Sequence, residues 1–196
     1  NEQIGTIALG YQSLGALTTG AENVAIGYQA LLTHTTGARN IAIGYDAMND
    51  TDAGSTSLGS IDNVFIGLDA GGGTWADAAS NYNVAIGNYA LSSAMDGATG
   101  NVAIGTYALT RSTTSDYCVA IGQEAGWAQT TGHSNTYIGA YAGTYSTTGY
   151  YNIAIGRYST VGSNTNTLGN NQNISVGYNT LAAITTADDN VAIGHT

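Results

Sequence analysis

Residues 23–39 read NVAIGYQALLTHTTGAR, and the same phrase starts again at residues 40–48 as NIAIGYDAM. In the first copy, Val24–Ile26 alternates large β-branched side chains with a small one, a period of two that is typical of a β-strand. The glycine that follows, Gly27, permits a turn that other residues resist. The phrase therefore predicts a short strand, a turn, a second short strand over residues 28–31 and a polar loop that leads back to the start of the next repeat.

A closing glycine ends each Val/Ile-Ala-Ile core and marks the repeat along the whole chain. Six of the twelve spacings between successive closing glycines equal the spacing from Gly10 to Gly27. The closing glycines are Gly10, Gly27, Gly44, Gly59, Gly67, Gly87, Gly105, Gly122, Gly139, Gly156, Gly169, Gly177 and Gly194. Because so short a unit cannot bury its own apolar side, neighbouring units must stack into a continuous core. We predict an all-β fold, a parallel β-helix or β-roll solenoid whose coils repeat about every 17 residues.

The predicted domain organisation is one repeat-built solenoid over residues 1–196, with irregular coils near residues 50–82 and 159–176. The spacing between closing glycines is shortest in these regions, from Gly59 to Gly67 and from Gly169 to Gly177. These places are interpreted either as shortened coils or as adjustments of register. Since the chain starts at Asn1 rather than at Met and ends partway through a repeat, we expect it to be a fragment of a longer polypeptide.

Asparagine recurs four residues before most closing glycines, so stacked coils would align these side chains. Asparagine at a turn can bond nearby backbone groups, which predicts a structural ladder. A polar ligand-binding stripe is the alternative. The members are Asn23, Asn40, Asn63, Asn83, Asn101, Asn135, Asn152, Asn173 and Asn190. Cys118 takes this place in one repeat, where a small buried substitute is expected rather than a reactive thiol.

The two sides of each strand are predicted to have different roles. The β-branched side suits a stacked interior, and the predicted core residues are Val24, Ile26, Ile41, Ile43, Val84, Ile86, Val102, Ile104, Ile153 and Ile155. The small side would permit close approach by another chain. The predicted contact stripe consists of Ala25, Ala42, Ala85, Ala103, Ala120 and Ala154. Exposure of this stripe to solvent is the alternative.

Three repeats replace the leucine of Tyr-x-Ala-Leu by Gly71, Gly126 or Gly143, and each has an aromatic residue nearby. The aromatic residue either fills the space that leucine leaves or lies exposed, where it could stack on a sugar. On the second interpretation, Trp75 and Trp127 mark candidate exposed binding loops.

The charge pattern excludes several classes of function. Three arginines, no lysine and 13 acidic residues give a net charge of -10, so binding to nucleic acid or to anionic lipid is not expected. No stretch has the roughly 18 apolar residues of a membrane helix. The three histidines stand apart and a single cysteine forms no intrachain disulfide. We predict no catalytic residues, no metal site and no cofactor.

The N-V/I-A-I-G-Y-x-A-L…T-T-G units resemble two related groups of proteins. One is the head region of trimeric autotransporter adhesins, and the other is the repeat of bacteriophage tail fibres. The Tyr-x-Ala-Leu extension, at residues 28–31 and 178–181, looks more like the phage form. The resemblance implies a parallel β-roll, three chains intertwined or side by side, and a role in attachment.

The expected function is therefore a structural and adhesive segment of a homotrimeric fibre, located outside the cell on a virion or a bacterial surface. A host glycan or protein is the expected external partner. The alternatives are a bacterial surface adhesin, a monomeric ice-binding solenoid, and an enzyme built on a β-helix. The adjacent Thr-Thr pairs would point to opposite sides of an extended chain, which weakens the ice-binding alternative. The acids do not recur at one repeat position, which weakens the enzyme.

Overall fold

The computed structural model describes residues 4–51, 59–76, 78–160, 171–182, 184 and 187–195. In these residues, eleven strands of three residues each form one sheet. The strands are β1 (Ile7–Leu9), β2 (Val24–Ile26), β3 (Ile41–Ile43), β4 (Val64–Ile66), β5 (Val84–Ile86), β6 (Val102–Ile104), β7 (Val119–Ile121), β8 (Thr136–Ile138), β9 (Ile153–Ile155), β10 (Ile174–Val176) and β11 (Val191–Ile193).

Every strand pairs in parallel with the next strand of the chain, from β1 to β11. The register aligns equivalent repeat positions, as where Val24 lies beside Ile41 and Ala25 beside Ala42. Parallel pairing of consecutive strands requires the chain to return once per coil, and the result is a solenoid of about ten turns. The all-β parallel solenoid predicted from the repeat is confirmed.

The strand pairing gives fewer coils than the closing glycines predict. Ile41 pairs directly with Val64, so the chain between them is a single long coil and Gly59 closes no coil of its own. The short spacing from Gly59 to Gly67 is therefore part of one enlarged coil, and the shortened-coil interpretation is wrong at this place. A second long coil joins Ile153 to Ile174, and its glycine, Gly169, lies outside the described residues.

The segment after the closing glycine is a series of turns, so the second strand predicted over residues 28–31 is wrong. Gln29 and Leu31 both have a φ of 53°, in the left-handed region. Such a conformation costs a non-glycine residue about 1–2 kcal/mol. Hydrogen bonds between coils offset this cost, since the Gln29 amide donates to Tyr11 (2.8 Å) and the Leu31 amide donates to Ala47 (3.0 Å). The same positive φ recurs at the equivalent positions of other coils.

The alanines of the strands face the interior of their own coil. Six of them are completely buried: Ala25, Ala42, Ala85, Ala103, Ala120 and Ala154. Ala30 and Leu31, from the turns across the coil, complete the packing in one repeat. A buried side chain cannot contact another chain, so both interpretations of the alanine stripe, chain contact and solvent exposure, are wrong.

The β-branched residues point outward, which overturns the predicted core. The residues concerned are half-buried or exposed: Val24, Ile26, Ile41, Ile43, Val84, Ile86, Val102, Ile104, Ile153 and Ile155. The cause is the narrow interior, where a strand faces a turn of the same coil and only a small side chain fits between them. An alternating pattern distinguishes two faces but does not say which one is inside.

Two coils carry a large residue in place of the inward alanine, and a glycine opposite makes room for it. Phe65 occupies this place in β4, and a Cβ atom on Gly71 would lie 2.5 Å from its ring. Tyr137 does so in β8, and a Cβ atom on Gly143 would overlap that ring. The glycines therefore accommodate a large strand residue.

Trp75 is completely buried, so its assignment to an exposed binding loop is wrong. Its ring packs against Phe65 with the ring centroids 5.7 Å apart. Its indole N–H donates a hydrogen bond of 3.0 Å to the carbonyl of Gly71. The aromatic side chain fills the interior of an enlarged coil.

The closing glycines stack directly on one another and leave no room for a side chain. Gly105 has a φ of 134°, and a Cβ atom added to it would lie 2.5 Å from the carbonyl oxygen of Gly122. Real Cβ atoms do not approach a backbone atom so closely. The close approach of successive coils therefore requires glycine at this position.

The variant Gly105→Ala tests this steric requirement. Because the added methyl group must separate two coils, we expect the free energy of unfolding to fall by roughly 3 kcal/mol or more. Urea unfolding followed by circular dichroism measures the loss. The matched control is Gly59→Ala, since a Cβ atom there meets nothing within 4 Å. Equal midpoints for the two variants would contradict the interpretation.

Candidate functional site

The asparagine ladder lies inside the solenoid and bonds each coil to the next. The Oδ1 atom of Asn23 accepts hydrogen bonds from the backbone N–H (2.9 Å) and the Nδ2 atom (3.2 Å) of Asn40. The Nδ2 atom of Asn40 also donates to the carbonyl of Ser60 at 2.9 Å. The members from Asn23 to Asn173 are completely buried. Their polar groups are used within the chain, and the ladder is not a surface for ligands.

Cys118 interrupts the ladder with a thiol that is sheltered from reagents. Its backbone N–H still donates to Oδ1 of Asn101 at 3.0 Å. Burial raises the pKa of the thiol to about 11, although hydrogen bonds from Asn135 act in the opposite direction. Sulfur is a weak acceptor, so the step from Cys118 to Asn135 is held less well than the other steps.

The variant Cys118→Asn should restore the missing acceptor and stabilise the protein. We expect the free energy of unfolding to rise by about 1 kcal/mol, the net worth of a typical buried hydrogen bond. Cys118→Ala is the control, because it removes the sulfur without adding an acceptor and should be destabilising. Urea unfolding compares the three proteins, and a Cys118→Asn variant no more stable than the alanine variant would contradict the assignment.

His34 extends the buried polar network beside the ladder. Its Nε2 atom lies 3.2 Å from Nδ2 of Asn40 and its Nδ1 atom lies 3.0 Å from Oγ1 of Thr51, and the tautomer of the ring decides which nitrogen donates. Burial lowers the pKa of His34 to about 4. A later coil has Gln129 in the same role, with its Oε1 atom 3.4 Å from Nδ2 of Asn135.

Acidification should destabilise the fold through His34. The unfolded side chain has a pKa of about 6.5, so between that pH and a pH of about 4 the unfolded state binds more protons than the folded state. The contribution of His34 to the free energy of unfolding is fully present above this pH window. It is lost as the pH falls through the window, by roughly 3 kcal/mol in total.

The variant His34→Gln isolates this contribution, since Gln129 shows that glutamine fits the position. Urea unfolding at several pH values between about 7 and 4 measures the slope. We expect wild type to lose stability more steeply than the variant. Parallel curves for the two proteins would contradict the assignment to His34.

Two rows of side chains, all aliphatic except Thr136, form the outer face of the sheet. The first row is Ile7, Val24, Ile41, Val64, Val84, Val102, Val119, Thr136, Ile153, Ile174 and Val191, and the second is Leu9, Ile26, Ile43, Ile66, Ile86, Ile104, Ile121, Ile138, Ile155, Val176 and Ile193. We call these two rows together the outer sheet face. Away from the two ends, its members retain up to 38% exposure, as at Ile86. It contains no charged residue.

Stacked tyrosines, which we call the tyrosine ladder, follow the closing glycines at two repeat positions, either directly after the glycine or one residue later. The rings of Tyr11, Tyr28 and Tyr45 stack with centroids 5.3 and 4.9 Å apart. In later coils, Tyr89 stacks on Tyr107 at 5.0 Å. Because equivalent residues are one strand spacing apart, a tyrosine in consecutive coils stacks on its neighbour. The tyrosine ladder adds aromatic surface to the solenoid.

The threonine hydroxyls of the return loops are engaged between coils. The Oγ1 atoms of Thr18, Thr113 and Thr130 donate to carbonyls of the next coil at 2.9, 3.2 and 3.0 Å. A hydroxyl that serves the solenoid in this way is not presented as a free array. This observation weakens the ice-binding alternative, which needs such an array.

The arginines differ in what holds their guanidinium groups. Arg39 forms a bidentate ion pair with Asp62, at 2.6 and 2.9 Å. The guanidinium carbon of Arg111 lies 5.1 Å from the ring centroid of Trp127. Trp127 is half-buried under this cation, so the second predicted binding residue does lie at the surface. The sequence interpretation did not include Arg111, which belongs to the preceding coil.

Within the described residues, no group of three or more His, Cys, Asp or Glu side chains could hold a metal ion. The described part of the chain also contains no helix long and apolar enough to cross a membrane. Comparison with known proteins finds no matching family model, characterised protein or solved structure.

Proposed function

We propose that this chain is a segment of a homotrimeric attachment fibre outside the cell, of the bacteriophage tail-fibre kind. Three copies pack side by side through their outer sheet faces, and the other sides of the coils face the host. The observation that carries the proposal is the outer sheet face, a continuous uncharged surface that is aliphatic except at Thr136.

The size of this face supports burial against other copies. Eleven strands about 4.8 Å apart and roughly 10 Å long present on the order of 500 Å². An apolar patch of this size on a monomer commonly marks an interaction site. A standard interface buries roughly 800 Å² per partner, and the outer sheet face with the tyrosine ladder supplies part of such an area.

The shape of the face favours identical neighbours in parallel. A narrow stripe that runs the length of a rod is best covered by another rod of equal pitch, and a second copy meets this condition. The resemblance of the repeat to three-chain fibres favours three copies around one axis. Tyrosine suits the edge of such an interface because its ring packs while its hydroxyl stays solvated.

The mechanism in this proposal is mechanical reach combined with avidity. A solenoid with bonds between all successive coils is a stiff spacer. Three copies of any receptor-binding loop are held together on one fibre, and linked sites raise the overall affinity without new contacts. The net charge of -10 keeps such a surface soluble. The proposed partners are the chain itself and a glycan or protein of the host surface.

Sedimentation equilibrium over a dilution series tests the trimer. We expect a mass three times the chain mass of 19.9 kDa. The variant Ile121→Lys places a charge in the middle of the outer sheet face, where desolvation inside an interface would be costly. It should dissociate the trimer and leave the circular dichroism spectrum of the coils unchanged, because Ile121 is 37% exposed in the single chain.

Thr148→Lys is the matched control, since it adds the same charge at an exposed return-loop position. It should sediment as wild type does. A wild-type protein that stays monomeric at all concentrations would overturn the proposal. Equal effects of the two lysines would show that added charge, rather than its position on the outer sheet face, controls assembly.

A further inference from the structure

Arg111 and Trp127 form a surface pair with unused hydrogen-bonding capacity. The guanidinium lies 5.1 Å from the centroid of the indole ring. No ion pair or hydrogen bond is formed by the guanidinium with any of the described residues, and the same is true of the indole N–H. By contrast, the guanidinium of Arg157 donates to the hydroxyl of the Tyr158 ring on which it lies, at 3.2 Å.

The indole holds the guanidinium in place without using its donors. Stacking on an aromatic face restrains the long arginine side chain, which lowers the entropy that a ligand would have to remove. Glu124, the nearest acid to Trp127 along the chain, accepts a hydrogen bond from Gln123 at 3.5 Å. Arg111 is exposed, and none of the described residues accepts a hydrogen bond from its guanidinium, so its donors are available to a ligand.

The pair lies far along the coil from the outer sheet face. Arg111 stands midway along the chain between the end of β6 at Ile104 and the start of β7 at Val119. It therefore stays accessible when the outer sheet face is covered by other copies. A homotrimer would display three such pairs.

The chemistry of the pair selects a ligand with one anionic group and one apolar face. A guanidinium binds a carboxylate through two parallel hydrogen bonds, and an indole offers a flat apolar surface with a polar N–H at its edge. The rest of the chain, with a net charge of -10, repels anions. A carboxylate-bearing pyranose meets these conditions, since its ring C–H groups can pack on the indole while its carboxylate reaches the guanidinium.

We propose that Arg111 and Trp127 form a binding site for uronic-acid units of a host surface glycan. The site rests on the proposed attachment function and specifies the chemistry of its receptor. Each copy binds weakly, because one ring and one ion pair at the surface contribute little, and the trimer multiplies the effect.

The two tryptophans of the chain provide the measurement and its internal control. A proton–nitrogen correlation spectrum should show two indole N–H signals, one from Trp127 and one from the buried Trp75, whose N–H is bonded to Gly71. The protein is titrated with methyl β-D-glucuronide. The matched neutral probe is methyl β-D-glucoside, which differs in the carboxylate alone.

We expect the glucuronide to shift the Trp127 signal in a saturable manner and to leave the Trp75 signal in place. The glucoside should bind at least about tenfold more weakly. The variant Arg111→Gln should weaken glucuronide binding to a similar extent. Arg157→Gln is the control, because it removes an equal charge from another arginine that lies on an aromatic ring, and it should bind as wild type does.

Three outcomes would overturn the site: no shift of the Trp127 signal, equal binding of the two glycosides, or equal losses in the two arginine variants. This experiment and the sedimentation test of the trimer can fail independently of each other. A trimer that does not bind the glucuronide would contradict this site but not the proposed trimeric fibre. A monomer that binds the glucuronide would support the site and contradict the trimer.

Discussion

The hydrogen bonds between successive coils are the interaction on which the rest of the structure depends. They hold equivalent residues one strand spacing apart, about 4.8 Å, so each position of the repeat forms a row along the solenoid. A side chain must therefore be compatible with a copy of itself directly above and below. Glycine meets this condition where Gly105 and Gly122 nearly touch, asparagine meets it by donating and accepting at once, and tyrosine meets it by stacking.

The short coil that allows this stacking also makes the interior narrow. Alanine fills most of the strand positions inside, and the larger aliphatic residues are left on the outer sheet face. A globular protein would bury those residues in its own core. Here they are available to other copies of the chain, so the constraint that makes the coil thin also supplies the surface on which the proposed assembly depends.

Departures from the repeat come with local compensation. Phe65 and Tyr137 enlarge the inward strand position, and glycines opposite them give up the corresponding volume. His34 and Gln129 add buried polar groups, and each finds a partner in the asparagine ladder. The pair of Arg111 and Trp127 is different, because none of the described residues uses its donors. A polar pair left unused in a structure that satisfies most of its polar groups is a reasonable place to seek a ligand.

The repeat phrase by itself determined the period of the coil, the short strands, their parallel stacking and the positions of the asparagine and glycine rows, because all of these follow from regular spacing. Tertiary structure decided which side of each strand is inside, since alternation is the same pattern whichever face is buried. It also decided that residues 28–31 turn rather than extend, that Gly59 closes no coil and that Trp75 is buried. Finally, it brought Arg111 over Trp127, a residue of the following coil. Such contacts join adjacent coils, and their geometry depends on the volume that the interior leaves, which no local pattern records.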